Sequence, residues 1–272
     1  MVKPPILYFG AKGSTAERIV DLMPAHDGYI EPFAGSLAVL LAKPRARMEV
    51  VNDIDREIMT FWRVVREQPD DLQALIDLTP HSRAELELSH DREGLPDLEV
   101  ARRVWVRLTQ GRAPALGVRT GWRYFSQYVS ANGNRSNIAD YLNAYRRRMP
   151  EAAERIADVS LECRDALEVI ADYGQHRANL LYVDPPYLGS TRRGSRYAHE
   201  LTGEDQHRAL AEALHSCSAT VMLSGYASDL YDRELFPDWT RVELGAFTGN
   251  GANDTRRTEV VWINRDIEGA LW

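Results

Sequence analysis

Short apolar runs alternate with amphipathic segments near both ends of this chain. A short apolar run is typical of a buried strand whose sheet is covered on both faces. Apolar side chains that recur three or four positions apart predict helices between these runs. The predicted strands are residues 28–30, 48–51, 180–183, 219–223 and 259–263, and the predicted helices are residues 15–23, 37–42, 55–67 and 204–215. This alternation predicts an α/β fold with a mainly parallel sheet.

A helix-rich segment interrupts the alternation between residues 58 and 155. One of its helices has an apolar stripe of Leu98, Ala101, Trp105 and Leu108. The arginines that lie off this stripe are Arg102, Arg103 and Arg107. Residues 111–137 are rich in Gly, Ser, Asn and Arg, which predicts exposed loops or a hairpin. We therefore predict an α/β domain made of residues 1–57 and 156–272, with residues 58–155 inserted as a mainly helical domain.

Charge is distributed unevenly along the sequence. The 272 residues carry a formal net charge of −7, which by itself argues against a polyanionic partner. Residues 101–150 contain ten arginines and one acid, a net charge of +9, so the other 222 residues carry −16. The same segment holds seven aromatic side chains. Arginines interleaved with aromatic rings are typical of nucleic-acid surfaces. A solvated helical face above core aromatics would have the same composition.

Composition excludes several classes of protein. Hydrophobic residues make up 44% and charged residues 27%, which is typical of a globular chain rather than a disordered one. Cys163 and Cys217 are too few for a disulfide framework or a zinc cluster. No stretch approaches 18 uninterrupted apolar residues, and residues 1–10 lack the pattern of a signal peptide. We expect a soluble, cytoplasmic, monomeric protein that uses no metal and contacts no membrane.

The most specific motif is Asp184-Pro185-Pro186-Tyr187, which directly follows a predicted buried strand. Two prolines fix φ and remove two backbone donors, leaving a rigid turn with free carbonyls at the carboxyl end of the strand. Ligands bind at that edge of open α/β sheets. A carboxylate and a backbone carbonyl held together there can both accept hydrogen bonds from one exocyclic amine. Tyr187 can stack on the ring that carries the amine.

A second motif is the segment Glu31-Pro32-Phe33-Ala34-Gly35-Ser36, where a predicted strand turns into a predicted helix. Small residues at such a turn let a ligand approach the backbone closely. Asp53 ends the next strand, eighteen residues after Gly35, where a carboxylate can bind two ribose hydroxyls. The Gly-x-Gly-x-x-Gly fingerprint is missing, so we expect a nucleoside ligand without a pyrophosphate and no oxidoreductase activity.

Taken together, these segments resemble the Dam-like DNA adenine N6-methyltransferases. The resemblance covers most of residues 6–66 and 160–264. The matching segments are Tyr8-Phe9-Gly10-Ala11-Lys12, Glu31-Pro32-Phe33-Ala34-Gly35, Asn52-Asp53-Ile54, Cys163-Arg164-Asp165-Ala166, Asp184-Pro185-Pro186-Tyr187 and residues 257–264. Two family glycines are replaced, by Ala11 and Leu37. The resemblance implies a Rossmann-like methyltransferase sheet, with residues 58–155 as the inserted target-recognition domain.

The resemblance also implies a cofactor, S-adenosylmethionine, and a substrate, double-stranded DNA, in a bacterial or phage-infected cell where the protein is associated with the nucleoid. The target adenine is expected to be flipped out of the duplex and to offer its N6 amine to Asp184 and the Pro185 carbonyl. The implied catalytic residues are Asp184, Pro185, Pro186 and Tyr187. The implied cofactor residues are Tyr8, Lys12, Glu31, Phe33, Gly35, Asp53, Asp165 and Asp184. The arginines expected to contact DNA are Arg112, Arg119, Arg123, Arg135, Arg192, Arg193 and Arg196.

Two other functions are compatible with the sequence. The catalytic motif by itself does not exclude adenine in structured RNA as the substrate. The substitutions at Ala11 and Leu37 leave open a nucleic-acid-binding module with a decayed pocket. The recognised sequence and any partner restriction enzyme are not determined by the sequence.

Overall fold

The computed structural model describes residues 1–8, 10–13, 15–124, 137–187, 203–247 and 257–265. Its strands are β1 (Gly28–Glu31), β2 (Met48–Asn52), β3 (Ser160–Glu162), β4 (Asn179–Val183), β5 (Thr220–Tyr226), β6 (Thr240–Phe247) and β7 (Arg257–Ile263). Its α-helices are α1 (Ala16–Asp21), α2 (Ala38–Ala42), α3 (Arg56–Glu67), α4 (Pro69–Leu78), α5 (Arg83–Leu88), α6 (Asp97–Gln110), α7 (Ile138–Arg146), α8 (Met149–Ile156), α9 (Ala166–Tyr173) and α10 (Glu204–His215). A π-helical turn spans Leu230–Leu235.

The described strands form one seven-stranded sheet in the order β3-β2-β1-β4-β5-β7-β6. The first five strands in this order are parallel to one another, whereas β7 runs antiparallel to both β5 and β6. The predicted α/β class and mainly parallel sheet are therefore confirmed. Strands β3 and β6 were not predicted, because their sequences lack a continuous apolar run: β3 is not fully buried, and β6 pairs only with β7.

Helices cover both faces of the sheet, since successive side chains of a strand point to opposite sides. Tyr29 of β1 packs with the larger hydrophobic cluster, which includes residues of α1 to α8. Ile30, the next residue, packs with the second cluster, beneath α9 and α10. The helices of the predicted insert therefore share a hydrophobic core with one face of the sheet. Whether residues 58–155 form a separate recognition domain stays a prediction.

The arginines of α6 are buried although they lie off its apolar stripe. Arg102, Arg103 and Arg107 are buried, and each is paired with a carboxylate. Arg102 and Arg103 both bind Glu99, at 2.7 and 2.6 Å. All residues from 101 to 110 are buried, because α6 is packed among α3, α4 and α5. Three of the ten arginines in the basic segment are therefore internal ion-pair partners, which corrects the expectation that its charge simply faces a nucleic acid.

None of the helices in the described residues combines the length and the apolar character needed to cross a bilayer.

Candidate active site

A cavity of about 570 Å3 opens at the carboxyl ends of β1, β2 and β4. This is the edge at which ligands bind in open α/β sheets. The structure brings all eight predicted cofactor residues to its lining: Tyr8, Lys12, Glu31, Phe33, Gly35, Asp53, Asp165 and Asp184. They come from five separate parts of the sequence, and they meet because parallel strands end at a common edge. Their role in binding a cofactor stays a prediction.

The turn after β1 contains two residues with a positive φ, and only one of them is a glycine. Gly35 has a φ of +46°, and a Cβ at this position would lie 3.0 Å from the ring of Tyr8. Leu37, the N-cap residue of α2, also has a positive φ, of 54°. This left-handed conformation explains why glycine is usual at the position in the resembling family. Leu37 keeps the conformation with its side chain fully buried, so the loop geometry survives the lost glycine.

Asp53 anchors this turn from the end of β2. One of its carboxylate oxygens accepts a hydrogen bond from the Gly35 N–H at 3.0 Å, and the other accepts from the Asp55 N–H at 2.9 Å. Trp62 of α3 holds the same turn from the opposite side, because its indole N–H donates to the Gly35 carbonyl at 2.9 Å.

Asn52 is a structural residue of the site whose role the sequence did not reveal. Its buried amide donates to the carbonyls of Pro32 and Arg164, both at 3.0 Å, and accepts from the Arg164 N–H at 2.9 Å. The asparagine therefore ties the loop after β1 to the loop after β3. Asp165 follows this tie and caps α9, accepting from the Leu167 N–H at 2.7 Å. The only sequence signal was the position of Asn52 beside Asp53.

Glu31 is an acid buried at the end of β1. Burial raises the pKa of its carboxyl to about 8, although the hydrogen bond from the Tyr29 hydroxyl, 2.9 Å long, opposes this shift. The negative charge of Asp184 raises the pKa further. Near neutral pH this carboxyl is therefore largely protonated. A cation that entered the cavity would favour its ionised form.

The segment Asp184-Pro185-Pro186-Tyr187 is held by a lysine that precedes the first strand. The Lys12 ammonium lies 2.7 Å from each carboxylate oxygen of Asp184 and donates to the hydroxyl of Tyr187 at 2.5 Å. It also donates to the Gly10 carbonyl at 3.2 Å. Lys12 is 5% exposed, so these contacts are shielded from solvent. Ala11 therefore does not prevent this loop from delivering its lysine to the motif.

Two side chains of the cluster were not predicted from the sequence. Ser224 of β5 donates to Asp184 at 2.9 Å and is itself 2.9 Å from the hydroxyl of Tyr182. Glu259 of β7 accepts from the Tyr187 hydroxyl at 2.8 Å and lies 3.3 Å from the Lys12 ammonium. Ser224 directly follows one predicted strand and Glu259 begins another, and neither position was assigned a role from the sequence.

Tyr187 lies against the ring of Tyr226, with centroids 4.5 Å apart and planes inclined at 56°. Burial raises the pKa of the Tyr187 hydroxyl well above its ordinary value, and the charges of Asp184 and Glu259 raise it further. The hydroxyl is therefore a neutral donor at physiological pH. Pro185 is buried, and Pro186 lines the cavity.

The arginines predicted to contact DNA have different surroundings. Arg112 is exposed, and Arg119 is 68% exposed beside Glu87. Arg123 is half-buried: it donates to the carbonyls of Gly111 and Arg112 at 3.1 and 3.0 Å. It is therefore bound to its own loop. The remaining predicted positions, Arg135, Arg192, Arg193 and Arg196, lie outside the described residues.

The described part of the chain contains no group of three or more His, Cys, Asp or Glu side chains placed to hold a metal ion.

A family model described as D12 class N6 adenine-specific DNA methyltransferase matches residues 8–102 and 123–245. A comparison with curated protein sequences found no match. Among solved structures, a conserved hypothetical protein from Streptococcus pyogenes is 13% identical, with a TM-score of 0.36 over 94% of this chain and 96% of that one. The rRNA methyltransferase aviRa from Streptomyces viridochromogenes is 12% identical, with a TM-score of 0.37 over 92% of this chain and 82% of that one.

Proposed function

Because the chain belongs to the D12 class of N6 adenine-specific DNA methyltransferases, we propose that it methylates N6 of adenine in duplex DNA with S-adenosylmethionine as the donor. The observation that carries this proposal is the cluster of Lys12, Asp184 and Tyr187 at the rim of a cavity suited to a nucleoside. Methyl transfer is the chemistry of the family. The DNA substrate, the cofactor and the flipping of the base are parts of the proposal.

The residues that line the cavity fit the proposed cofactor in size and chemistry. A cavity of about 570 Å3 is within the range of small-molecule sites. Gly35 lets the ring of Tyr8 pack directly against the backbone of the cavity wall, where a Cβ would lie 3.0 Å from that ring. Asp53 is placed to accept hydrogen bonds from ribose hydroxyls, Phe33 offers an aromatic face, and Glu31 offers a carboxyl that a cation would ionise. When bound, S-adenosylmethionine supplies an electrophilic methyl group on a sulfonium.

Asp184 is proposed to orient the adenine amine. Its carboxylate and the Pro185 carbonyl accept hydrogen bonds from the two N–H groups of N6, which favours a tetrahedral nitrogen whose lone pair points toward the methyl donor. The contribution is one of positioning and electrostatics. Tyr187 stacks on the flipped base and recovers part of the few kcal/mol that unstacking costs. The Asp184 carboxylate is also the nearest acceptor for the proton that N6 loses.

Residues 58–155 are proposed to recognise the target, with the exposed Arg112 and Arg119 placed on DNA phosphates. Phosphate contacts of this kind position a protein on the duplex without reading its sequence.

The test is methyl transfer from labelled S-adenosylmethionine to unmethylated duplex DNA and, in parallel, to ribosomal RNA, with the product nucleosides identified by mass spectrometry. We expect N6-methyladenine in DNA. Transfer to RNA alone would replace the DNA substrate by an RNA one. Failure to bind the cofactor in calorimetric titration would instead indicate a decayed pocket.

A further inference from the structure

Glu259 is a buried carboxylate within hydrogen-bonding distance of two members of the catalytic cluster. It lies on β7, opposite Tyr226 of β5, and is 6% exposed. It accepts a hydrogen bond from the Tyr187 hydroxyl at 2.8 Å and forms an ion pair with Lys12 at 3.3 Å. A carboxylate is costly to bury unless it is paired, and Lys12 and Tyr187 supply that pairing here.

Lys12 lies between two carboxylates at unequal distances. It is 2.7 Å from both oxygens of Asp184 and 3.3 Å from Glu259. Ser224 donates to the same Asp184 carboxylate at 2.9 Å. One oxygen of Asp184 accepts from Lys12, from Ser224 and, at 3.4 Å, from the Tyr187 hydroxyl, and the other oxygen accepts from Lys12.

The proposed reaction needs an oxygen of Asp184 for the substrate amine. An ammonium bound to both oxygens competes for that position and weakens the carboxylate as an acceptor. A movement of Lys12 away from one oxygen when the base enters would therefore strengthen Asp184 as the acceptor of the amine. Because a buried ammonium without a counter-ion is strongly disfavoured, the movement requires a second buried anion close by.

Glu259 meets this requirement. It is near enough for Lys12 to reach by a small side-chain rotation, and it already contacts the Tyr187 hydroxyl. Burial raises the pKa of Glu259, whereas the charge of Lys12 lowers it. A closer approach of Lys12 would therefore favour the ionised form of Glu259.

We propose that Glu259 is a positioning residue that draws Lys12 away from Asp184 when the substrate amine binds. One oxygen of Asp184 becomes available to the amine, while the buried ammonium stays paired. The hydrogen bond from Tyr187 to Glu259 keeps the aromatic ring in place during this exchange. This inference rests on the proposed methyltransferase function.

The first test compares Glu259→Gln with the wild-type protein under saturating and limiting cofactor and DNA. Glutamine keeps an acceptor oxygen for Tyr187 and removes the charge that attracts Lys12. We expect kcat to fall at least about 10-fold, with KM for S-adenosylmethionine and the Kd for DNA within about twofold, as for an interaction used only in the chemical step. A matched control is Glu243→Gln, which makes the same change on β6 at a more exposed carboxylate paired with Arg241. The control should keep the wild-type kcat.

The second test asks whether Glu259 acts through Lys12. In a Lys12→Met background, where no ammonium remains to be moved, adding Glu259→Gln should change kcat by less than about twofold. Multiplicative losses would show that the two residues act independently and would overturn the proposal. Glu259→Asp, which retains the charge, should be several-fold faster than Glu259→Gln. Equal rates for these two variants would also overturn the proposal, and this comparison stays valid if Lys12→Met is unstable.

The controls separate this inference from the proposed function. A wild-type protein that methylates adenine together with a fully active Glu259→Gln variant would overturn the inference and leave the function intact. A wild-type protein that methylates neither DNA nor RNA would overturn both.

Discussion

Arg107 of α6 and Glu57 of α3 form a two-point ion pair, with nitrogen–oxygen distances of 2.5 and 3.1 Å. The arginine side chain is 1% exposed and the glutamate side chain 21% exposed. The pair joins two helices that pack on the sheet, so its first effect is on folding. Its charge is not available to a nucleic acid.

Arg107→Ala should lower the free energy of unfolding by about 2 kcal/mol, because it removes a buried side chain and leaves Glu57 only its longer ion pair with Arg92, at 3.4 Å. Denaturant titration measures this change. Arg119→Ala, at an exposed position beside Glu87, is the matched control and should change stability by less than about 0.5 kcal/mol. A stable Arg107→Ala variant that binds DNA weakly would contradict the structural role.

At position 37, a glycine variant should be more stable than an alanine variant, which reverses the usual order of stability. Both Leu37→Ala and Leu37→Gly remove a buried side chain, at a cost of about 2–5 kcal/mol. Because the left-handed backbone at this position costs a non-glycine residue roughly 1–2 kcal/mol, Leu37→Gly should be the more stable of the two variants. Chemical denaturation of both variants measures the difference.

The control for Leu37 is the same pair of substitutions at Leu40, which is fully buried inside α2. There glycine should be less stable than alanine by about 0.5–1 kcal/mol. If glycine were the less stable variant at both positions, the backbone at Leu37 would not be strained.

Glu31 should make the free energy of unfolding fall as pH rises, whereas a paired surface acid makes it increase. Its pKa is about 8 in the folded protein and near 4.5 when unfolded, so the folded state binds the proton more tightly. Between these two values stability should fall as pH rises, by up to about 1.4 kcal/mol per pH unit. Above pH 8 this dependence should level off.

Glu31→Gln should remove that dependence while keeping an acceptor for the Tyr29 hydroxyl. Unfolding free energies of the variant and the wild-type protein at pH 5.5, 7 and 8.5 give the comparison. We expect the variant to gain stability relative to wild type as pH rises. A constant difference across this range would show that Glu31 keeps its ordinary pKa.

Arg112 and Arg119 should contribute to the salt dependence of DNA binding, because both are exposed in the predicted recognition segment. Replacing both by alanine should lower the slope of log K against log salt by about 2. Fluorescence anisotropy at several salt concentrations measures the slope. Arg233→Ala, at an exposed position on the π-helical turn, is the control. An unchanged slope in the double variant would exclude both arginines from the interface.

Asp184→Ala should abolish methyl transfer, with a loss of at least about 1000-fold in kcat, because the amine loses its charged acceptor. Affinity for duplex DNA should stay within about threefold of wild type, since Asp184 makes no phosphate contact in the proposed complex. Product formation measures kcat, and fluorescence anisotropy measures the affinity for duplex DNA. Turnover close to that of wild type would refute the assigned role.

The sequence by itself determined the strands whose residues are apolar throughout, the placement of Asp184-Pro185-Pro186-Tyr187 at the end of one of them, and the family. These features depend on local patterns: an apolar run predicts a buried strand, and two prolines fix φ wherever they occur. The resemblance also selected eight residues that the structure brings to one cavity. Local chemistry was sufficient there because parallel strands end at one edge of the sheet.

Only the tertiary structure decided which polar residues of the strands and helices became partners. The sequence around Arg107 is typical of a solvated arginine on a basic helix. The packing of α6 among its neighbours places this arginine against Glu57. Glu259 and Ser224 lie at the ends of apolar runs and were assigned no role from the sequence, and the order of the strands brings them to Tyr187 and Asp184. The role of a charge depends on the groups that surround it in space, because burial and pairing decide whether it is solvated. Those groups can lie 247 positions away in this chain, as the contact between Lys12 and Glu259 shows.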